Sequence, residues 1–324
     1  MQNFDVFNGD ADGICALHQM RLAKPLESTL ITGVKRDISL LKKVHADTGD
    51  QILVLDISLD KNRDDLIRLL EHGCSIQYFD HHFCGDIPDN KHLQANINTD
   101  PNTCTSLLVN EYLDQKYLPW AVTAAFGDNL HQSARIAAKP LALSEAQLDK
   151  LELLGTCINY NGYGSSLDDL IFTPESLYKN ISHYENPFEF IGTDDNYQQL
   201  EDGYKEDISH AKSCKADLET TSHSVTILPN EKWARRVSGV YANQLATENP
   251  DRAHAMLTQQ SDNSFLVSVR APLNNKTGAD ELCRQFESGG GRKAAAGINN
   301  LPAADYDLFV EKFTQSFTAA QAIK

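Results

Sequence analysis

Residues 52–57 read Ile-Leu-Val-Leu-Asp-Ile, a nearly continuous apolar run. A run this short and this unbroken marks a strand covered on both faces. A helical segment over residues 59–72 follows, closed by Gly73, and a second strand spans 75–80. Upstream, residues 3–8 read as a strand and 13–23 as a helix with Ile14, Leu17 and Leu22 along one face. Parallel neighbours need a crossover, so strand–helix–strand repetition commits this half to a parallel sheet with helices on both faces. The middle of the chain is mainly helical. A helix is expected over 120–130 after Pro119. Ser144-x-x-Gln147 has the form of a capping box before a helix reaching about Cys157, and Pro174 suits the first turn of another. Polar residues 196–217 read as a long helix. From Ser222 the α/β pattern restarts, with strands over 225–228, 253–258 and 265–270 and helices near 239–247, 279–286 and 306–317. The expected organisation is a parallel-sheet domain over 1–195, a helical linker over 196–220 and a smaller C-terminal α/β domain over 221–324. The two domains are expected to face each other across a cleft.

Charge narrows the function. The chain carries 29 Lys and Arg against 45 Asp and Glu, a formal net charge of -16. Binding of long nucleic acids leans on many Lys and Arg contacts to phosphates, so a surface this acidic disfavours them and still admits a small phosphorylated ligand in a local pocket. Seven cysteines, an odd number without any Cys-x-x-Cys, argue against a disulfide framework or a zinc-thiolate site and suit a reducing cytosol. The first residues lack a basic-then-apolar leader, and no apolar run approaches the ~18 residues a membrane helix requires. A cytoplasmic location without membrane contact is the expectation.

The carboxylates stand where such a sheet would use them. Asp10 and Asp12 follow the first strand, Asp56 ends the apolar run, Asp80-His81-His82 ends the third strand, and Asp128 follows a helical segment. In open parallel sheets ligands bind beyond the carboxyl ends of the strands. Any one of these aspartates alone reads as a turn former or a helix cap. Gathered at one edge, they would repel unless cations sit among them. Carboxylates with imidazole suit Mn2+ or a similar divalent ion.

These residues carry a family resemblance. Asp10-Ala11-Asp12-Gly13, Asp56 in Leu-Asp-Ile-Ser, Asp80-His81-His82 and Asp128 resemble the four motifs of the DHH phosphoesterases. Gly289-Gly290-Gly291-Arg292-Lys293-Ala294-Ala295-Ala296-Gly297 resembles the glycine-rich motif of the accompanying DHHA1 domain, and Val267-Ser268-Val269-Arg270 the strand before it. The resemblance implies a metal-dependent phosphodiester hydrolase using two Mn2+ ions, with Mg2+ or Co2+ as substitutes. It assigns Asp10, Asp12, Asp56, His81 and Asp128 as ligands, with Asp56 bridging and water activated between the ions. His82 would meet the scissile phosphate or the leaving group, and Asp80 would orient a histidine. Two residues depart from the family pattern. Asn8 stands where many members have His or Asp, and can offer only a neutral carbonyl oxygen. Arg292 stands where His usually follows the three glycines.

The substrate-binding set read from the C-terminal motifs is Arg270, Gly289, Gly290, Gly291 and Arg292, joined by Asn8 and His82. Three glycines let a backbone approach a ligand. A helix beginning at Ala294–Ala296 would add a phosphate-binding N-terminus. Asn159-Tyr160-Asn161-Gly162-Tyr163-Gly164 reads as an aromatic-polar turn. Arg235-Arg236 and Lys42-Lys43 read as solvated charges. The leading expectation is hydrolysis of a short linear dinucleotide such as pGpG to mononucleotides. The alternatives are a 3′-phosphoadenosine 5′-phosphate phosphatase, a cyclic-dinucleotide phosphodiesterase and a non-enzymatic nucleotide sensor. A homodimer is compatible with the sequence.

Overall fold

The apolar run becomes the central strand of a five-stranded sheet. The structure, a computed structural model, describes residues 1–318. Strands β1 (Asn3–Phe7), β2 (Thr29–Ile31), β3 (Gln51–Leu55), β4 (Ser75–Asp80) and β5 (Leu93–Ile97) lie in the order β2-β1-β3-β4-β5, all parallel. The alternate residues Phe4, Val6, Ile52, Val54, Ile76 and Tyr78 point to one face. There they bury Leu66, Leu69 and Leu70 of helix α2 (Arg63–Glu71). The other face meets helix α1 (Ala11–Ala23), where buried Asp5 of β1 is paired with Arg21 and accepts a hydrogen bond from Ser28 Oγ at 2.6 Å. Both faces are thus covered, which is why the run carries no polar alternation.

Helices α3 (Thr105–Tyr112), α4 (Leu118–Gly127), α5 (His131–Ala137), α6 (Glu145–Gly162), α7 (Pro174–Ile181) and α8 (Pro187–Thr193) follow. The Ser144–Gln147 capping box starts α6 as expected, but the helix runs five residues past Cys157. The segment 159–164 is therefore not a turn in its first part. Asn159, Tyr160, Asn161 and Gly162 are the buried last turn of α6, where Asn161 Oδ1 accepts from the N–H groups of Ile171 and Phe172. Turn-forming composition gave way to burial, because the Asn161 side chain finds its partners on the neighbouring segment 171–172.

Helix α9 (Asp195–Ser213) follows. The chain divides into two compact units, Met1–Gly203 and Tyr204–Lys324. The second unit has strands β6 (Ala216–Glu219), β7 (His223–Leu228), β8 (Ala253–Gln259), β9 (Ser264–Arg270), β10 (Gly289–Gly291) and β11 (Ala295–Pro302) in the order β10-β11-β9-β8-β7-β6. Only β7 and β8 are parallel, joined by helix α10 (Lys232–Glu248) as crossover. Helices α11 (Ala279–Cys283) and α12 (Tyr306–Thr318) cover one face. Phe309, Phe313 and Phe317, spaced at i, i+4 and i+8 along α12, pack there on Val225, Leu257 and Val267. Arg236 is not a solvated charge: it is largely buried and its Nε donates to Asp207 at 2.7 Å, while Arg235 Nη1 donates to Asn230. Lys42 and Lys43 are exposed, and Lys43 pairs with Asp37.

Candidate metal centre

The order β2-β1-β3 reverses direction at β1, so β1 and β3 form the switch point of the sheet, where a crevice opens beyond the strand ends. Asp10 leaves β1 there as the N-cap of α1, its Oδ1 accepting from the N–H groups of Asp12 and Gly13 at 3.1 Å each. Gly13 is required by a close approach, because a Cβ there would lie 2.2 Å from the Asn8 carbonyl oxygen. Asp12, in the first turn of the helix, points at the start of α3. Its two oxygens accept from Thr105 N and Ser106 N at 2.7 Å, so a helix N-terminus holds this carboxylate. Asp56 follows β3 with a φ of 60°, a left-handed conformation that costs free energy at a non-glycine residue and persists only where its surroundings enforce it. Here its N–H donates to Phe79 O at 3.0 Å and its Oδ1 accepts from Thr105 Oγ1 at 3.1 Å.

Asp80 ends β4, and His81 and His82 follow. His81 Nδ1 lies 3.0 Å from Thr103 O, a contact that assigns the proton to Nδ1 and leaves Nε2 an acceptor. That Nε2 stands among three carboxylates, 3.5 Å from Asp56 Oδ1, 3.9 Å from Asp128 Oδ2 and 4.0 Å from Asp12 Oδ2. His82 Nδ1 lies 3.9 Å from Asp56 but 2.7 Å from Asp80 Oδ1, so Asp80 orients His82. Asp128 arrives at the end of α4. Helices α4 and α6 approach so closely that a Cβ on Gly127 would lie 2.7 Å from Gly155 O, and one on Gly155 would lie 2.1 Å from Thr123 O. This contact lets α4 deliver Asp128.

The electrostatics are severe. Asp10, Asp12, Asp56 and Asp80 are buried, each at most 3% exposed. Burial, and then the charges of Asp12, Asp10, Asp128 and Asp80, push the Asp56 carboxyl well above the ordinary range. Burial also raises Asp128, against the pull of Lys35 and His81. For Asp10 burial is outweighed by Lys35, whose ammonium is paired with Asp10 Oδ2 and holds its carboxyl below the ordinary value. The donor set fits a divalent ion. Ligand atoms sharing one ion at about 2.1 Å lie about 3–4 Å apart, the spacing found here and too long for hydrogen bonds. The ligand atoms of Asp12, His81 and Asp128 lie within 4.8 Å of one another, as do those of Asp56, His81 and His82. In the second group His82 offers Nδ1, the atom already bonded to Asp80, so Asp56 and His81 are its stronger members. Asn8 Oδ1 is buried and accepts no hydrogen bond.

The remaining predicted residues lie in the second unit. Arg270, at the end of β9, donates from Nε to Asn243 Oδ1 at 2.5 Å, and Nη2 approaches Gly239 O at 3.5 Å, both on α10. Gly289–Gly291 form the edge strand β10, opposite Ile298, Gly297 and Ala296 of β11. The Ala-rich segment is therefore a strand, not a helix start, and supplies no helix N-terminus for an anion. Small side chains in two adjacent antiparallel strands let the hairpin lie close to Val267, where a Cβ on Gly297 would lie 2.6 Å from the carbonyl oxygen. Arg292 sits exposed in the connecting turn, bonded through its backbone to Ala295. Sequence reading missed Lys35 and Asn159, which meet at Asp10, and the 103–106 backbone that fixes His81 and Asp12. Nothing in Gly33-Val34-Lys35-Arg36 distinguishes a site lysine from a loop charge.

The sequence matches no model of a known protein family, and none of the curated proteins matches it. Solved structures do match. A manganese-bound RecJ exonuclease aligns over 96% of this chain and 88% of its own at 16% identity, with a TM-score of 0.63. The pGpG-specific phosphodiesterase PggH from Vibrio cholerae aligns over 98% and 99% at 13% identity, with a TM-score of 0.59. RecJ from Thermus thermophilus, in complex with Mn2+, aligns over 99% of this chain and 52% of its own at 18% identity, with a TM-score of 0.61. The chain thus spans about half of that longer protein. This chain has the RecJ fold. The likeness extends through both units of the RecJ-like chain and agrees with the resemblance of its motifs to DHH and DHHA1 domains. Among the described residues no helix of this RecJ-like chain is long and apolar enough to cross a membrane.

Proposed function

We propose that the chain is a Mn2+-dependent phosphodiesterase that cleaves short linear nucleotides, with pGpG as the lead substrate, to mononucleotides. The observation that carries this reading is the convergence of Asp12, Asp56, His81 and Asp128 at ion-sharing distances at the switch point of the sheet. Asp12, Asp56, His81 and Asp128 would hold the ions, Asp56 between them, with Asp10 and Asn8 at the far end. Bound divalent ions supply an activated water and offset the charge on the phosphate oxygens. The protein's part is positioning. Asp80 holds His82 toward the scissile phosphate, and the amides of Thr105 and Ser106 hold Asp12 in place. Arg270, the Gly289–Gly291 strand and Arg292 are assigned to the substrate's terminal phosphate and base.

Support for a short substrate comes from the net charge of -16, which opposes long polyanions, and from near-complete mutual coverage with the pGpG-specific enzyme. Single-strand exonuclease activity is the second reading, favoured by the likeness to RecJ. The test incubates the protein and Mn2+ with pGpG, pApA, cyclic dinucleotides, longer oligonucleotides and 3′-phosphoadenosine 5′-phosphate. The expected result is a rate that falls steeply beyond two or three nucleotides. Processive digestion of long strands without preference for short ones would favour the exonuclease. Absence of turnover on every phosphoester would remove the enzymatic reading.

A further inference from the structure

The carboxylates of the centre are not equivalent. Asp12, Asp56 and Asp128 each stand at ion-sharing distance from His81, but Asp10 joins neither group. Its Oδ1 is committed to the first turn of α1 and its Oδ2 to Lys35. Lys35 is firmly seated. Its backbone N–H donates to Gly162 O at 2.8 Å, its ammonium donates to Asn159 Oδ1 at 2.8 Å, and it lies 5.4 Å from the centre of the Tyr163 ring. All three partners belong to the end of α6. On the Lys35 side stands Asn8, which brings no charge. Its amide group donates to Lys35 O at 3.4 Å and its buried Oδ1 accepts nothing. A neutral residue at position 8 and a cation at position 35 both lower the demand of this end for a metal.

We infer that Lys35 is a built-in cation for the Asp10 end of the site. One divalent ion binds strongly at Asp12, Asp56, His81 and Asp128, and a second enters only when the ammonium leaves Asp10. The inference rests on the metal-dependent reading of the site. An ammonium and a divalent ion repel at contact distance and cannot both sit on one carboxylate oxygen. Lysine suits the exchange, since its charge rides on a flexible four-carbon stem and can swing off without moving the backbone.

The test titrates the whole 324-residue chain, metal-free, with Mn2+ by calorimetry and follows the same samples by electron paramagnetic resonance, which separates single ions from coupled pairs. For wild type the second ion should bind at least about tenfold more weakly than the first, with no pair signal at two equivalents. Lys35→Gln should tighten the second ion by about tenfold or more and produce the pair signal, while Lys35→Arg should behave as wild type. Two ions of comparable affinity in wild type, or an unchanged second ion in Lys35→Gln, would overturn the inference and leave the metal centre standing. Failure of wild type to bind any Mn2+ would overturn both. Should Lys35→Gln not fold, crystals of wild type at one equivalent and at saturating Mn2+ decide instead. The Lys35–Asp10 pair should persist in the first and be broken in the second, and an intact pair beside two ions would refute the exchange.

Discussion

The two sheets use their polar residues in opposite ways. In the second unit the buried polar side chains are mostly neutral and find each other, as Ser224 Oγ and His254 Nδ1 do at 2.9 Å between β7 and β8. At the strand ends of the first unit Asp10, Asp12, Asp56 and Asp80 are buried together, and Lys35 is paired with Asp10. Like charges gathered out of water destabilise a fold. The sheet that tolerates them is the parallel one, whose apolar strands are covered on both faces. Stability and charge are thus separated along β1 and β3: the strand bodies hold the unit together, and the strand ends carry the acidic cluster.

The largest expected effect comes from removing that charge. Asp56→Asn keeps the left-handed backbone, which Asn tolerates, and takes one carboxylate from the cluster. Turnover of pGpG should fall about 10³-fold or more, while the metal-free protein should melt higher by a few degrees, about 1 kcal/mol. The sign follows from the raised carboxyl of Asp56. The unfolded chain releases this proton first, so the metal-free fold loses stability as pH rises from the ordinary carboxylate range toward the folded value. A lower melting temperature for metal-free Asp56→Asn would contradict the separation just described.

Next in size is a pair of histidines, one in each unit. His18 of α1 lies edge-on to Trp120 with ring centres 4.8 Å apart and bonds Tyr184 O at 2.7 Å, and burial holds its pKa at about 4. Burial, aided by Arg252, does the same to His254. Each stays neutral in the fold but protonates in the unfolded chain. The stability each contributes is therefore complete above about pH 6.5 and is lost as pH falls toward 4, a loss of about 3 kcal/mol per histidine. Chemical denaturation of His18→Gln and His254→Gln between pH 7 and pH 4.5 checks this. Each variant should flatten the slope, and a wild-type slope in both would exclude histidine burial as its source.

Gly155→Ala should cost about 1–3 kcal/mol in urea denaturation, because the contact between α4 and α6 leaves no room for a methyl group. It should also lower Mn2+ affinity by shifting Asp128. A stability loss with unchanged Mn2+ affinity would show that Asp128 is placed by something other than this helix contact. The smallest effect is expected at exposed Arg292. Arg292→His should change the preference for pGpG over pApA by no more than about tenfold, which is the low end of a good base contact. Equal losses on both substrates would make Arg292 a phosphate ligand.

Periodicity and charge placement explain what was legible in the sequence. The strand before Asp56 could be read because burial on both faces leaves an apolar run that no surface segment imitates. The acidic cluster could be read because aspartates stand at the ends of β1, β3 and β4, which neighbour one another in the sheet. Lys35 was hidden, since its partners Asp10 and Asn159 lie 25 and 124 residues away and no local pattern links them. The end of α6 was misread because Asn and Gly favour turns in isolation, whereas Asn161 here bonds a neighbouring segment. The glycine strand was misread for a related reason. Glycine and alanine mark close approach, but whether a strand or a helix comes close depends on the register with Val267, which sequence alone does not carry.

The left-handed backbone at Asp56 has a consequence for descent. Few residues accept that conformation readily, chiefly Gly, Asn and Asp. Asn and Gly are each a single nucleotide change from an Asp codon, and either would relieve the crowding of negative charge. Mutation at this position therefore runs toward folded, stable and inactive proteins rather than unfolded ones. On the proposed activity, a substitution here removes hydrolysis without removing the scaffold.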